Sequence, residues 1–242
     1  MIKANKVTKA ILLSAGFGSR LRPLTNTIPK CLVPINGKPL LQIWLEQLTE
    51  NGIGEFLINS HYLSDQVHKF IEQSPFKNQV TVFHEPELLG TLGTLKATLG
   101  FWKNEDVLVA HADNLCLCSW QEFQQQFINK SDDMLGTMMV FNTDVPKSCG
   151  IIEYNDAGLI TAFHEKVKSP PSNLANAAIY LFDPRVNQLI EQSRLHETDI
   201  SLHLIPKLLN KLNFWQTDGY CRDIGSLSSL AIAESDMSKM SI

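Results

Sequence analysis

The run Ala10-Ile11-Leu12-Leu13-Ser14-Ala15-Gly16-Phe17-Gly18-Ser19-Arg20-Leu21-Arg22-Pro23-Leu24-Thr25 decides how this chain is read. Four apolar residues stop at a turn holding two glycines, the pattern of a buried parallel strand that ends at the carboxyl edge of a sheet. Ligands of open α/β sheets gather at that edge. Glycines there let a ligand approach the main chain, whose N–H groups hold phosphate oxygens. The loop continues through Pro29-Lys30-Cys31-Leu32-Val33-Pro34 to Lys38-Pro39, so Arg20, Arg22, Lys30 and Lys38 fall within 19 residues. Such crowding is costly unless an anion meets it, and a polyphosphate fits. The string is not a Walker A loop, because no Gly-Lys-Ser/Thr follows. As a dinucleotide fingerprint it is incomplete, since Leu21 stands where the third glycine belongs.

Outward from this run the texture alternates. Leu40, Leu41, Trp44, Leu45 and Leu48 recur at helical spacing after Pro39, and Asn51-Gly52 supplies a stop. Phe56-Leu57-Ile58 reads as the next strand, and Ser64 is expected to cap a helix carrying Val67, Phe70 and Ile71. A third strand at Val80-Thr81-Val82-Phe83, a helix over 91–101 and a strand at Val107-Leu108-Val109 follow. This pitch means right-handed crossovers onto a parallel sheet covered on both faces. Past Asp113 the expected strands crowd together at 134–141, 150–154, 159–163 and 177–182, with Asn155-Asp156-Ala157-Gly158 as a hairpin turn. Helices are expected at 183–192, 200–212 and 226–235. No Pro-, Gly- or Ser-rich linker separates two parts. The expectation is one α/β domain, 1–242, with a mixed, mostly parallel central sheet between helical layers.

Composition narrows the function classes. The 242 residues carry 21 Lys+Arg against 25 Asp+Glu, a net charge of −4, so a dedicated nucleic-acid binder is not expected. The hydrophobic share of 44% is too high for a disordered chain. Five scattered cysteines, without a CxxC pair, read as reduced thiols of a cytoplasmic protein. No run approaches the length of a membrane span or a secretory leader. An acyl hydrolase is disfavoured because no Gly-x-Ser-x-Gly elbow exists. His111 and His164 read as structural hydrogen-bonding groups.

Five stretches in order resemble the sugar-phosphate nucleotidyltransferases, the nucleotide-sugar pyrophosphorylases. They are the opening string through Lys38-Pro39, Leu89-Gly90-Thr91-Leu92-Gly93-Thr94, Ala112-Asp113-Asn114, Phe163-His164-Glu165-Lys166 with Asn176-Ala177-Ala178-Ile179-Tyr180, and Arg222-Asp223-Ile224-Gly225. The resemblance covers nearly the whole chain. It implies a Rossmann-like three-layer α/β/α fold of the nucleotide-diphospho-sugar transferase type. Residues 1–115 would be the nucleotide-binding half and 116–242 the sugar-phosphate-binding half, with no appended β-helix. The implied reaction joins an NTP to a sugar 1-phosphate and releases pyrophosphate.

The same resemblance implies roles. Asp113 and Asp223 would hold Mg²⁺, a hard cation that takes oxygen ligands and keeps several waters. Arg20 would reach the phosphates that leave as pyrophosphate, and Lys30 the α-phosphate; with Asp113 these are the expected catalytic groups. Ser14, Ala15, Gly16, Gly18, Ser19, Glu85, Gly90 and Thr91 would complete the nucleotide site. Asn114, Gly150, Glu165, Lys166 and Asn176 would bind the sugar phosphate. Two departures bear on the sugar: Val167 follows Lys166 where the family often has proline, and Ala178 stands where Asn-Ala-Gly is usual.

Glu85 is acceptor-only when ionised, and guanine offers two adjacent donors on one edge. GTP is therefore the favoured nucleotide, with UTP, CTP and dTTP as alternatives. The Leu-Gly-Thr-x-Gly string points to the mannose or manno-heptose 1-phosphate guanylyltransferase branch. A monomer or small homo-oligomer is expected, without nucleic-acid or membrane partners. The rival of another class is a nucleotide-sugar sensor without turnover, whose expected mark would be loss of Asp113, Asp223, Arg20 or Lys30.

Overall fold

A computed structural model describes residues 7–240. The chain opens with β1 (Lys9–Leu13), then β2 (Pro34–Ile35), β3 (Lys38–Pro39), α1 (Leu40–Glu50), β4 (Glu55–Ser60), α2 (Ser64–Gln73) and β5 (Val80–His84). The middle holds α3 (Thr91–Ala97), α4 (Leu99–Trp102), β6 (Val107–His111), β7 (Asn114–Leu117), α5 (Trp120–Ile128) and β8 (Gly136–Asn142). Then come β9 (Gly150–Tyr154), β10 (Ile160–Glu165), β11 (Leu174–Phe182), α6 (Val186–Glu191), β12 (Leu212–Gln216), β13 (Tyr220–Asp223) and α7 (Leu227–Met240).

These elements form two compact units interleaved along the chain. One takes the segment through Lys9, Leu89–Val109 and Ser119–Asp218; the other takes Ala10–Leu88, Ala110–Cys118 and everything from Gly219. Strands and helices that follow each other in sequence therefore join different units.

In the second unit β1, β4 and β5 lie side by side, β4 and β5 parallel with Phe56 opposite Val80. Its core holds the apolar stripe of α1, with Leu40, Leu41, Trp44, Leu45 and Leu48 essentially inaccessible, together with Ile11, Leu12 and Phe56. Each such side chain contributes about 1.5–3 kcal/mol by leaving water. The expected stop is real: Asn51 N–H donates to Gln47 O, and Gly52 takes φ 93°, a left-handed conformation that glycine adopts without penalty.

In the first unit β10, β9 and β11 are neighbours, β8 pairs antiparallel with β11, and β12 adds parallel to β8. Trp102, Phe123, Phe127, Tyr180 and Phe182 fill its core. The expected hairpin turn joins β9 to β10, Asn155 Oδ1 accepting from the main chain of Ala157 and Leu159. Trp102 and Trp120 are both buried, so they are core residues.

Four expectations are corrected. Ser64 is not a cap; Leu63 precedes the helix at φ 51°, and Ser64 Oγ bonds Ser60 Oγ. The helix over 91–101 is broken at Thr98, whose hydroxyl bonds back to Thr94 O and whose backbone leaves the helical region. The helix over 200–212 is a π turn at Ile200–Leu204 and a 3-10 turn at Ile205–Leu208, because Pro206 has no N–H to give and Asn210 turns left-handed at φ 61°. The aromatic stretch beyond it becomes β12. Finally, β8 begins at Gly136 rather than 134, where a Cβ would come 2.6 Å from Leu181 O.

Candidate active site

The phosphate-type loop belongs to the second unit. After β1 the chain makes three 3-10 turns, Ser19–Leu21, Leu24–Asn26 and Lys30–Leu32. Gly18 enters the first at φ 61°, Thr25 Oγ1 donates to its carbonyl at 2.7 Å, and a Cβ here would come 3.1 Å from Lys30 Cβ. The bare glycine thus lets the loop close on itself and set Lys30. Gly16 differs: nothing lies within 4 Å of where its Cβ would be. Its main chain borders open space, as a ligand-facing turn requires.

Ser14 is fixed from below. Its N–H donates to Asn59 Oδ1 at 2.6 Å and its hydroxyl to Asn59 O at 2.5 Å. Asn59 Nδ2 in turn donates to Glu85 Oε1 at 2.9 Å. Glu85, the acceptor expected to meet the base, is 1% exposed, and Ser60 O and the His61 ring hold its main chain. Its buried carboxylate is bound to Asn59, so its grip on the Ser14 loop is structural.

Arg20, Lys30, Asp113 and Asp223 meet. Lys30 is only 5% exposed, and its ammonium donates to Asp113 Oδ2 at 2.7 Å and to Asp223 Oδ1 at 3.2 Å. Arg20 Nη2 lies 3.3 Å from Asp223 Oδ2, with a side chain 73% exposed. Asp113 sits just beyond β6, after Ala112 N–H donates to Leu13 O. Asp223 ends β13, where it stands opposite Asn114 of β7, and Ile224 N–H donates to Asp113 O. Trp44 Nε1 holds Asn114 O at 2.8 Å. A Cβ on Gly225 would come 2.7 Å from Arg20 Nη2, so this glycine makes room for the ion pair.

Burial alone would raise the Asp113 carboxyl; the Lys30 ammonium, with smaller help from His111, overcomes that and holds it below the ordinary carboxylate range. Both carboxylates keep solvent access, at 38% and 51% of the side chain. Two accessible carboxyl groups form an all-oxygen donor set, which suits a hard divalent cation that retains waters. Asp113 and Asp223 fit such an ion. Of the four loop cations, Lys38 is engaged elsewhere, 2.7 Å from Glu46.

The first unit holds the other expected residues. Gly150 stands opposite Glu165 in the β9–β10 ladder, and a Cβ on it would come 2.7 Å from Glu165 Oε2 and against the Phe163 ring. Its missing side chain is the space that the carboxylate occupies. Lys166 turns at φ 49°, its N–H on Cys149 O and its ammonium 3.1 Å from Glu165 Oε1. Asn176 Nδ2 donates to the Tyr180 hydroxyl at 2.7 Å across a shift in the β11–β8 register, and Ala178 N–H donates to Asn176 Oδ1. Burial pushes the Tyr180 phenol up, so it stays protonated. Ala178 itself is left-handed at φ 56°. Gly90 takes φ 76°, where a Cβ would come 2.5 Å from Thr198 O, and Thr91 Oγ1 accepts from Ile200 N–H.

Sequence reading missed Asn59, and it gave no role to Tyr180 and Gly225, which stand within the quoted motifs. Asn59 carried a signal, a polar residue at the carboxyl end of an apolar strand. Tyr180 and Gly225 act only through contacts made by folding.

A loop that opens its main chain after a buried strand and two cations converging on two carboxylates are thus set in a mixed α/β fold. The chain belongs to the nucleotidyl transferase family, whose model matches residues 9–240. It is 32% identical over 224 residues to the mannose-1-phosphate guanylyltransferase catalytic subunit beta of Drosophila melanogaster, across 90% of this chain and 59% of that protein. It is 31% identical over 227 residues to mannose-1-phosphate guanyltransferase 2 of Candida glabrata, across 90% and 61%. The chain therefore spans about three fifths of the length of these curated relatives.

Its fold is shared with a UDP-glucose pyrophosphorylase solved with UDP-glucose, at TM-score 0.81 and 20% identity over 97% of this chain and 99% of that one. HddC from Yersinia pseudotuberculosis, solved with GMP-PN, matches at TM-score 0.78 and 23% identity over 96% and 100%. Nucleotidyltransferases of this family generally use a divalent metal. Among the described residues no helix is long and apolar enough to cross a membrane.

Proposed function

We propose that this protein makes a nucleotide sugar and pyrophosphate from an NTP and a sugar 1-phosphate, with GTP and mannose or manno-heptose 1-phosphate favoured. The observation that carries this reading is Lys30 held between Asp113 and Asp223, with Arg20 beside them. The relatives named for guanylyl transfer to mannose 1-phosphate support the choice of substrates.

The chemical problem is electrostatic. A phosphate oxygen of the sugar 1-phosphate attacks the α-phosphorus, the bond to the β-phosphate breaks, and pyrophosphate leaves. Both reactants are anions, so catalysis is mostly positioning and charge neutralisation. In this reading Ser14, Ala15, Gly16, Gly18 and Ser19 offer main chain to the nucleotide. Lys30 meets the α-phosphate as a compact charge, and Arg20 meets the leaving phosphates with its planar fork. Asp113 and Asp223 would hold Mg²⁺, which would supply further charge neutralisation on the phosphate oxygens. Glu85 serves the base side through Asn59 and the Ser14 main chain, and Gly90 and Thr91 complete the nucleotide set. Lys166 binds the phosphate of the sugar 1-phosphate. Glu165, in the space left by Gly150, Asn176 and Asn114 bind the sugar. The protein works in the cytoplasm as a monomer or small homo-oligomer.

The test is a panel of four nucleotides against several sugar 1-phosphates with Mg²⁺, read as pyrophosphate release. GTP with mannose 1-phosphate is expected to lead; silence in every combination would leave the sensor reading in its place.

A further inference from the structure

Three of the five thiols gather at one place in the second unit. Cys116 lies on β7 and Cys118 just past its end, two residues on, and the two side chains hydrogen-bond to each other. Cys221 of β13 stands directly opposite Cys116, with the two sulfurs 3.2 Å apart. Facing residues of an antiparallel pair have Cα atoms about 4.5–5.5 Å apart. That lies inside the range of about 4.4–6.8 Å that a disulfide accepts. The pair therefore closes without moving its strands. Cys118 falls outside the β7–β13 register, which runs from Leu117 opposite Tyr220 to Asn114 opposite Asp223, and is a bystander. Cys116 is 2% exposed while Cys221 is only partly buried, so of this pair Cys221 is the sulfur that an oxidant meets first.

We propose that Cys116 and Cys221 form a reversible cross-strand disulfide on the ladder that carries Asp223 and follows Asp113. With glutathione disulfide as oxidant, the Cys221 thiolate attacks one of its sulfurs, breaks its S–S bond and releases one glutathione. Cys116 then gives its proton to solvent, and its sulfur attacks Cys221 Sγ and displaces the second glutathione. Two thiols lose two electrons and one glutathione disulfide becomes two glutathiones. In a reducing compartment the pair rests as thiols and closes only under oxidative challenge. The bond ties β13 to β7 two residues from Asp223, so it fixes the spacing of the two carboxylates and lowers turnover.

The whole chain is treated with glutathione disulfide, its remaining thiols are alkylated, and peptides are mapped by mass spectrometry. The expected result is loss of two thiols and a peptide bearing Cys221 joined to the one bearing Cys116, reversed by dithiothreitol. Cys118→Ser keeps the link and Cys221→Ser lacks it. Glutathione on Cys118 without any link, or a link lost in Cys118→Ser, overturns the proposal. This map needs no enzymatic activity, so its failure is distinct from failure of the transferase reading. The effect on the site rests on that reading: oxidation should lower pyrophosphate release in the wild type and leave Cys221→Ser unchanged. A closed disulfide with undiminished release would overturn the coupling to the carboxylates.

Discussion

Asp223 stands directly opposite Asn114 in the antiparallel pairing of two four-residue strands. That register brings Asp223 to the same ammonium as Asp113, the residue before Asn114. A pair distant in sequence is thus set by a short ladder, with Trp44 Nε1 holding the Asn114 carbonyl from α1.

Replacing Asp113 or Asp223 by Asn should lower pyrophosphate release by about 10²–10³-fold, the usual cost of removing one electrostatic element of such a site. The circular dichroism spectrum should be retained. A chelator should stop release in the wild type and Mg²⁺ restore it. Turnover near wild type in either variant would take that aspartate out of the site.

Glu85→Ala should weaken GTP and UTP alike, because it removes the acceptor that holds Asn59 and, through it, Ser14. Competition binding of the two nucleotides measures this. A loss confined to GTP would return Glu85 to direct contact with the base.

Gly150→Ala should raise KM for the sugar 1-phosphate and leave KM for the nucleotide unchanged, since the added methyl meets Glu165 Oε2 and the Phe163 ring. Initial-rate kinetics with each substrate varied in turn decides it; an unaltered sugar KM would place Glu165 outside the sugar site.

Ala178→Gly should stabilise the fold by about 0.5–1 kcal/mol. A left-handed alanine costs about 1–2 kcal/mol, and glycine gives back part of the gain as chain entropy. Urea denaturation measures the difference, and an unchanged midpoint would mean the shift in the β11–β8 register relaxes freely.

Burial pushes the Asp106 carboxyl up to about 6; Lys130 and Arg185 oppose the rise and Asp183 adds to it. The folded state then binds a proton that the unfolded chain, at about 4, does not. The contribution of this group is full below about pH 4 and is lost as pH rises through about 6. Asp106→Asn should therefore gain melting temperature relative to wild type between about pH 4.5 and 7.5. A constant difference across that range would show that Asp106 titrates normally.

The strand-and-glycine reading at residues 10–18 gave the fold class, because a buried strand and a glycine turn are local properties. The loop cations were legible for the same reason, although Lys38 was claimed by Glu46 through the geometry of α1. β7, β12 and β13 were invisible: each is short, and its strand state depends on a partner distant in sequence. The burial of Glu85 escaped notice because its partner, Asn59, lies on another strand. The apolar spacing over 200–212 is helical, but Pro206 interrupts it, and the segment forms a π turn and a 3-10 turn instead.

The chain changes unit after Lys9, Leu88, Val109, Cys118 and Asp218. Neither unit is a contiguous stretch of gene, so no single truncation yields one of them whole, and every frameshift or nonsense lesion before Asp218 removes pieces of both. A split reporter or domain graft on this scaffold would have to respect those five junctions rather than cut the sequence in half.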